Sequence, residues 1–246
     1  MVNEATFSRL YEMKLSVMAS SYRQQMGDNS IHKLSFDERF GILVDTEWTT
    51  RKNNRLKRLI HLADFSISGA CVEDIEYRND RKLEREQIMQ LATCAYISDR
   101  RNIIILGATG TGKTYLACAL GMSACRHFCS VKYIRLPDLL DELSTAKGLG
   151  IFQKVIQAYK KIDLLILDEW LLSPLTDLES RDLLEIVDAR HNRCSTIFSS
   201  QFNPAGWHVR IGEGPLGEAI LDRIIHNSFT IIIEGDESMR KHKGIN

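Results

Sequence analysis

The chain opens in a helical rhythm. Phe7, Leu10, Tyr11, Leu15, Met18, Tyr22 and Met26 recur at spacings of three and four within residues 3–26, the period that gathers side chains on one face of an α-helix. A second helix is predicted from Ser35. In Ser-x-x-Glu (Ser35, Glu38) the hydroxyl can accept from the first-turn amide while the carboxylate bonds back to the cap's own N–H. Phe36, Phe40, Leu43, Val44 and Trp48 continue the apolar face of that helix. The stretch TTRKNNRLKRLIHLA at 49–63 is then a third helix or a prolongation of the second, and the polar segment at 73–87, EDIEYRNDRKLEREQ, reads as a connecting helix or linker.

The texture changes at residue 102. Short apolar runs now alternate with helical patterns: NIIILG, a helix over 112–128, VKYIRL, helices near 138–147 and 151–161, DLLILD, a helix opened by the capping box Thr176-x-x-Glu179, STIFSS, a helix near 216–227, and FTIIIEG. Apolar runs without alternation, separated by helices, predict a parallel sheet covered on both faces. Five strands are expected, with no internal repeat. The resulting division is a helical N-terminal domain over 1–68, a linker over 69–98 and an α/β domain over 99–246.

Composition narrows the class. A chain of 246 residues that is 44% hydrophobic and 26% charged can bury a full core. No stretch reaches the roughly 20 apolar residues of a membrane-spanning helix, and MVNEATFSRLYEM lacks the apolar run of a secretory signal. Both point to the cytoplasm and away from a membrane. The six cysteines (71, 94, 118, 125, 129 and 194) form no Cys-x-x-Cys pair and read as buried reduced thiols. Basic and acidic residues balance at 32 each, so only local charge speaks to a nucleic-acid partner. The segment 49–63 carries five basic residues and no acid, and MRKHKG near the end is a second cluster. Either is a candidate phosphate-contacting stripe or a solvated helix face.

The chemistry starts at GATGTGKT. Gly107, Ala108, Thr109, Gly110, Thr111, Gly112, Lys113 and Thr114 match Gly-x4-Gly-Lys-Ser/Thr directly after a predicted strand and before a predicted helix. Glycines let the backbone curl its amides toward a phosphate, and the helix N-terminus adds partial positive charge. Lys113 is expected to reach the β and γ oxygens of ATP, and the Thr114 hydroxyl to ligate Mg2+. LLILDE at 164–169 is the expected partner. A carboxylate ending an apolar strand is costly unless it faces a cation, so Asp168 is read as the second Mg2+ residue and Glu169 as the group that polarises the attacking water. A guanine-reading Asn-Lys-x-Asp is absent from the sequence, which favours ATP over GTP.

Two further candidates follow. STIFSS runs into Gln201, a polar group expected beside the acidic pair as a γ-phosphate sensor, with Ser200 as the fallback. In LGEAILDRIIHN, Ile220, Leu221, Ile224 and Ile225 define one apolar face, and helical geometry sets Arg223 about 130° from its centre. Arg223 is either a finger entering a neighbouring subunit's ATP site or a surface arginine paired with Asp222 or Glu218.

GATGTGKT, YIRLPDLLDEL, AYKKIDLLILDEW, SSQFNPAGWH, EAILDRIIHNS and EGDESMR, in this order over 102–241, together resemble the AAA+ ATPases of the helicase-loader and initiator branch, and among them the IstB-like transposition helpers. The phosphate loop is widely shared; ILDR followed by GDESMR is much narrower. The resemblance implies a P-loop AAA+ sheet behind a small helical N-terminal domain, and an ATPase that oligomerises as a ring or spiral on double-stranded target DNA and aids a cognate transposase; the balanced charge suggests little preference for DNA sequence, with binding set by backbone phosphates. Carried onto this sequence, it implies Gly107 to Thr114 as the nucleotide loop, Asp168 and Glu169 as the Mg2+ and water-activating pair, Gln201 as the sensor, Arg223 as a finger in trans, and Arg240 as a second arginine sensor. Only 11 residues follow FTIIIEG, so little or no C-terminal lid is expected to present Arg240. Residues 138–152 would correspond to an extra helix near the ring pore, making Lys147 a DNA contact or a solvated lysine. The rival readings are a replicative helicase loader of the same branch, a P-loop kinase of a small metabolite, and an ATP-gated platform with negligible turnover.

Overall fold

A computed structural model of the chain describes residues 2–212 and 214–235. They form two compact units, Met1–Arg58 and Leu59–Asn246.

In the first unit the opening periodic segment is two helices, α1 (Val2–Glu12) and α2 (Ser16–Gly27). The break falls at Lys14, whose φ of 60° is left-handed and ends a helix for any residue with a Cβ. The turn sets Phe7 against Tyr22, ring centroids 5.4 Å apart. The expected capping box opens α3 (Phe36–Ala63): the Glu38 amide donates to Ser35 Oγ at 3.3 Å and the Ser35 amide to Glu38 Oε2 at 2.7 Å. α3 runs on through the basic stretch, which is therefore a prolongation of the second helix. Its expected apolar face is not covered within the unit: Phe36, Phe40, Val44 and Trp48 are all exposed. Within the first unit, the residue that α3 buries is polar. Glu47, 6% exposed, accepts from the Met18 amide at 2.8 Å and from Arg51 at 2.6 Å.

The second unit holds the sheet. Residues expected as a linker carry α4 (Arg85–Ala92) and α5 (Ala95–Ser98), and Ile88, Leu91 and Tyr96 are buried there. The chain then runs β1 (Asn102–Gly107), α6 (Lys113–Arg126), β2 (Val131–Arg135), α7 (Leu136–Gly148), α8 (Phe152–Lys160), β3 (Leu164–Asp168), α9 (Asp177–Arg190), β4 (Ser195–Ser200), α10 (Pro204–Ile211), α11 (Pro215–Ile225) and β5 (Ser228–Ile233). The strands pair in parallel in the order β2-β3-β4-β1-β5. β3 and β4 are buried at every position, which is why their sequences do not alternate. Between the sheet and α9 to α11 sits an aromatic cluster, with Trp170 4.6 Å from Phe198 and 5.9 Å from Trp207.

The periodicity reading does not include α10. It is eight residues long, capped by the Asn203 side chain on the Gly206 amide at 3.0 Å, too short to display a period. Arg190 is the main buried cation, 3% exposed. It donates to the Tyr159 and Ile162 carbonyls at 2.6 and 2.8 Å, to Ser195 O at 2.5 Å and to Thr196 Oγ1 at 3.0 Å, closing the end of α8 onto β4. For the site the decisive fact is the sheet order. β4, late in the chain, lies between β1 and β3, so the carboxyl ends of β1, β4 and β3 stand side by side. In open α/β sheets ligands bind where the strand order reverses.

Candidate active site

The loop after β1 is shaped by close approach. A Cβ on Gly107 would lie 2.5 Å from the Ile233 carbonyl oxygen and 2.8 Å from Thr111 Oγ1, so only glycine fits beside β5. Gly110 and Gly112 take φ of 85° and 94°, a left-handed path that glycine follows without steric cost. α6 then starts at Lys113, and its N-terminus faces the curl. Lys113 Nζ donates to the Ala108 carbonyl at 2.8 Å. Burial holds its pKa below the ordinary lysine value, while Asp168 pulls it back up.

Asp168 ends β3 and is 5% exposed. Its Oδ2 accepts from Thr114 Oγ1 at 2.7 Å and from the Tyr133 hydroxyl at 2.9 Å, and its Oδ1 accepts from the Glu169 amide at 3.0 Å. The chain turns sharply here. Glu169 and Leu171 have φ of 54° and 53°, left-handed conformations that cost about 1–2 kcal/mol each for a residue with a Cβ. Between them the Trp170 amide is fixed to Ser199 O at 2.8 Å, and the buried Trp170 ring anchors the turn. Glu169 is thereby turned out of the strand, its Oε2 3.7 Å from Arg135 Nη1. From β4, Gln201 meets the loop: Thr109 Oγ1 donates to its Oε1 at 2.8 Å. A cleft of about 110 Å3 brings Thr109, Gly110, Lys113, Thr114, Asp168, Glu169 and Gln201 together.

The IstB-like ATP binding protein family matches this chain over residues 8–245. The chain belongs to that family. An ATP-binding protein assigned to insertion sequence IS1162 of Pseudomonas fluorescens is 42% identical over 201 residues, covering 82% of this chain and 87% of that one. The insertion sequence ATP-binding protein y4pL of Sinorhizobium fredii is 37% identical, covering 99% and 98%. Two solved structures share the fold. The DnaC helicase loader has TM-score 0.56 at 19% identity, covering 67% of this chain and 97% of that one. AMPPCP-bound DnaA from Aquifex aeolicus has TM-score 0.59 at 21% identity, covering 72% of this chain and 54% of that one. The chain is thus an IstB-like ATPase on an AAA+ fold.

Among the described residues, Ser200, Arg223 and Lys147 of the IstB-like chain do not line the cleft. Ser200 is structural, donating to Trp170 O and accepting from Trp207 Nε1, both at 2.9 Å. Arg223, on α11, pairs with neither Asp222 nor Glu218. Its Nε donates to Asp188 Oδ1 on α9 at 2.8 Å and its Nη1 to Ala219 O at 2.9 Å. Lys147 is held by the Asp182 carboxylate and lies over the Phe152 ring. Arg240 lies outside the described residues, as does the stretch after FTIIIEG, where little or no lid is expected. Residues that the sequence reading did not single out also serve the site. Arg81, 5% exposed, donates to Thr111 O at 2.9 Å and to Glu76 O at 2.6 Å, fixing the phosphate loop from behind. It sits in a polar segment with no period, and only the fold brings it to the loop. Tyr133 and Arg135 fall within the quoted segment YIRLPDLLDEL, which assigns neither of them a role.

Proposed function

We propose that the chain binds ATP and Mg2+ in this cleft, assembles as a homo-oligomer on double-stranded DNA, and assists the transposase of its insertion sequence, with hydrolysis releasing the assembly. The observation that carries the reading is the convergence of Lys113, Thr114, Asp168 and Glu169 on one cleft behind a glycine curl.

The residues present fit the nucleotide and the metal. The close approach of Gly107 to Ile233 leaves no room for a side chain under the loop, and the amides at the start of α6 suit an anion. One hydroxyl and one carboxylate whose oxygens lie 2.7 Å apart form the hard oxygen pair that Mg2+ takes while keeping waters and phosphate oxygens. When bound, Mg2+ would neutralise charge on the phosphates. In that setting Lys113 exchanges its bond to Ala108 for phosphate oxygens. Glu169, turned out by its left-handed backbone, accepts the proton of the attacking water. Gln201, held by Thr109, orients the same water or the terminal phosphate. Arg223 would enter the cleft of an adjacent subunit, which requires its Asp188 pair to open.

Support for DNA comes from α3, where Arg51, Lys52, Arg55, Lys57 and Arg58 are all exposed. Contacts of that kind are made to phosphates, carry little sequence information and weaken with salt. The DnaC helicase loader's coverage of 97% of its own length favours a second reading, in which the partner is a hexameric helicase.

Glu169→Gln tests the first reading. The variant is expected to bind ATP with parental affinity, to hydrolyse it at least about 100-fold more slowly, and to sediment with duplex DNA as a persistent ATP-bound assembly that captures the transposase. Parental hydrolysis would remove Glu169 from its role, and capture of a helicase with no transposase would transfer the chain to the loader reading.

A further inference from the structure

The hydroxyl of Tyr133 requires an explanation that packing does not supply. Tyr133 is 8% exposed in the middle of β2. β2 pairs with β3 so that Arg135 stands opposite Asp168 and Tyr133 opposite Ile166. Residues two apart on a strand share a face, and a diagonal neighbour is within reach of a long aromatic side chain. Tyr133 therefore lies two register positions behind the carboxylate, on its side of the sheet. A phenylalanine would fill that place as well, and a phenol in such surroundings costs free energy unless its proton has an acceptor. The acceptor is Asp168 Oδ2 at 2.9 Å, the oxygen that also receives Thr114 at 2.7 Å.

We propose that Tyr133 is the positioning residue for Asp168, fixing through its hydroxyl the carboxylate rotamer that receives the divalent cation. The inference rests on the magnesium reading above. A carboxylate on a free χ1 and χ2 would offer its oxygens over a range of directions. Here both oxygens are held: Oδ1 by the Glu169 amide at 3.0 Å, Oδ2 by a rigid ring from the neighbouring strand. The holder is itself fixed. Its neighbour Lys132 is paired with Asp64 at 3.0 Å. Phe65, in the same short segment after α3, packs where a Cβ on Gly121 would lie, 2.6 Å away. Thr114 differs in kind, because its hydroxyl belongs to the metal-binding pair, whereas Tyr133 acts only through Asp168. Partners that orient metal ligands typically govern metal affinity by about 10–100-fold.

The experiment is a double-mutant cycle on the full chain, read by electron paramagnetic resonance of Mn2+ bound in the presence of AMPPCP. Tyr133→Phe is expected to weaken Mn2+ about tenfold, with AMPPCP binding in EDTA and the metal-free melting midpoint nearly unchanged. Asp168→Asn is expected to lose most Mn2+ binding, and adding Tyr133→Phe to it should change nothing more. Mn2+ affinity within twofold of the parent in Tyr133→Phe, or a tenfold loss that persists in the Asp168→Asn background, overturns the inference alone. Parental Mn2+ binding by Asp168→Asn removes the magnesium reading and the inference with it. If Tyr133→Phe lowers the melting midpoint, the comparison in the two backgrounds still isolates the part transmitted through Asp168.

Discussion

Lys147 of α7 is bound to Asp182 of α9, a carboxylate whose side chain is only 8% exposed. The ammonium that the sequence offers to DNA or to solvent instead neutralises a buried acid. Lys147→Ala leaves that carboxylate unpaired and is expected to destabilise the unit by about 1–2 kcal/mol, with affinity for duplex DNA changed less than about twofold. Thermal melting and fluorescence anisotropy on labelled DNA measure the two effects separately. A large loss of DNA affinity in a protein of parental stability would return Lys147 to the DNA-contacting role.

The bond from Thr109 to Gln201 joins the phosphate loop to the end of β4 at 2.8 Å. If Gln201 orients water or the terminal phosphate, Gln201→Ala should lower kcat by about tenfold and leave nucleotide affinity within about threefold. Thr109→Val should do less, because it loosens the amide without removing it. Equal losses of affinity and kcat in Gln201→Ala would make the residue a ground-state binder.

Arg190 satisfies three carbonyls and a hydroxyl from inside the protein. Burial pushes its pKa down to about 10, still well above neutrality, so it remains a cation there. Arg190→Met fills part of the volume but strands four acceptors, and is expected to cost at least about 3 kcal/mol and to lower the melting midpoint by about 6–12 °C. A shift of less than 2 °C would show that water satisfies those groups.

The cysteines separate by burial. Burial pushes the thiol of Cys118 up to about 11 and those of Cys94 and Cys125 up to about 12, with Cys129 adding to both of the latter. The thiolate is the reactive form, so at pH 8 iodoacetamide should modify Cys71 and Cys194, both partly exposed, well before these three. Peptide mass spectrometry of briefly labelled native protein gives the order, and early labelling of Cys118 would contradict it.

The parts of this protein that were legible in the sequence are those whose physics is local. GATGTGKT announces a phosphate loop because its backbone conformation depends on glycines within the motif itself, and the positive φ at Gly110 and Gly112 agrees with it. The capping boxes at Ser35 and Thr176 are formed as written, since each needs only residues three apart. Buried strands lack alternation because both faces are covered, so β1, β3 and β4 could be read as a parallel sheet from apolar runs alone.

Position in space obeyed other rules. Phe36, Phe40 and Trp48 follow a helical period yet remain exposed, because periodicity defines a face and not what covers it. The insertion of β4 between β1 and β3 brings Gln201 to Thr109; it arises from crossover connections, which leave no mark on local composition. Arg81 behind the loop, Tyr133 beside Asp168 and Asp182 against Lys147 lie 30 to 35 residues from their partners in each case. The sequence by itself determined the chemistry carried by the chain: a triphosphate loop, an acid pair and a sheet to hold them. Only the tertiary structure decided which polar groups serve that chemistry and which are held inside the fold. A hydrogen bond or ion pair between distant residues exists only once the backbone has brought them within about 3 Å of one another.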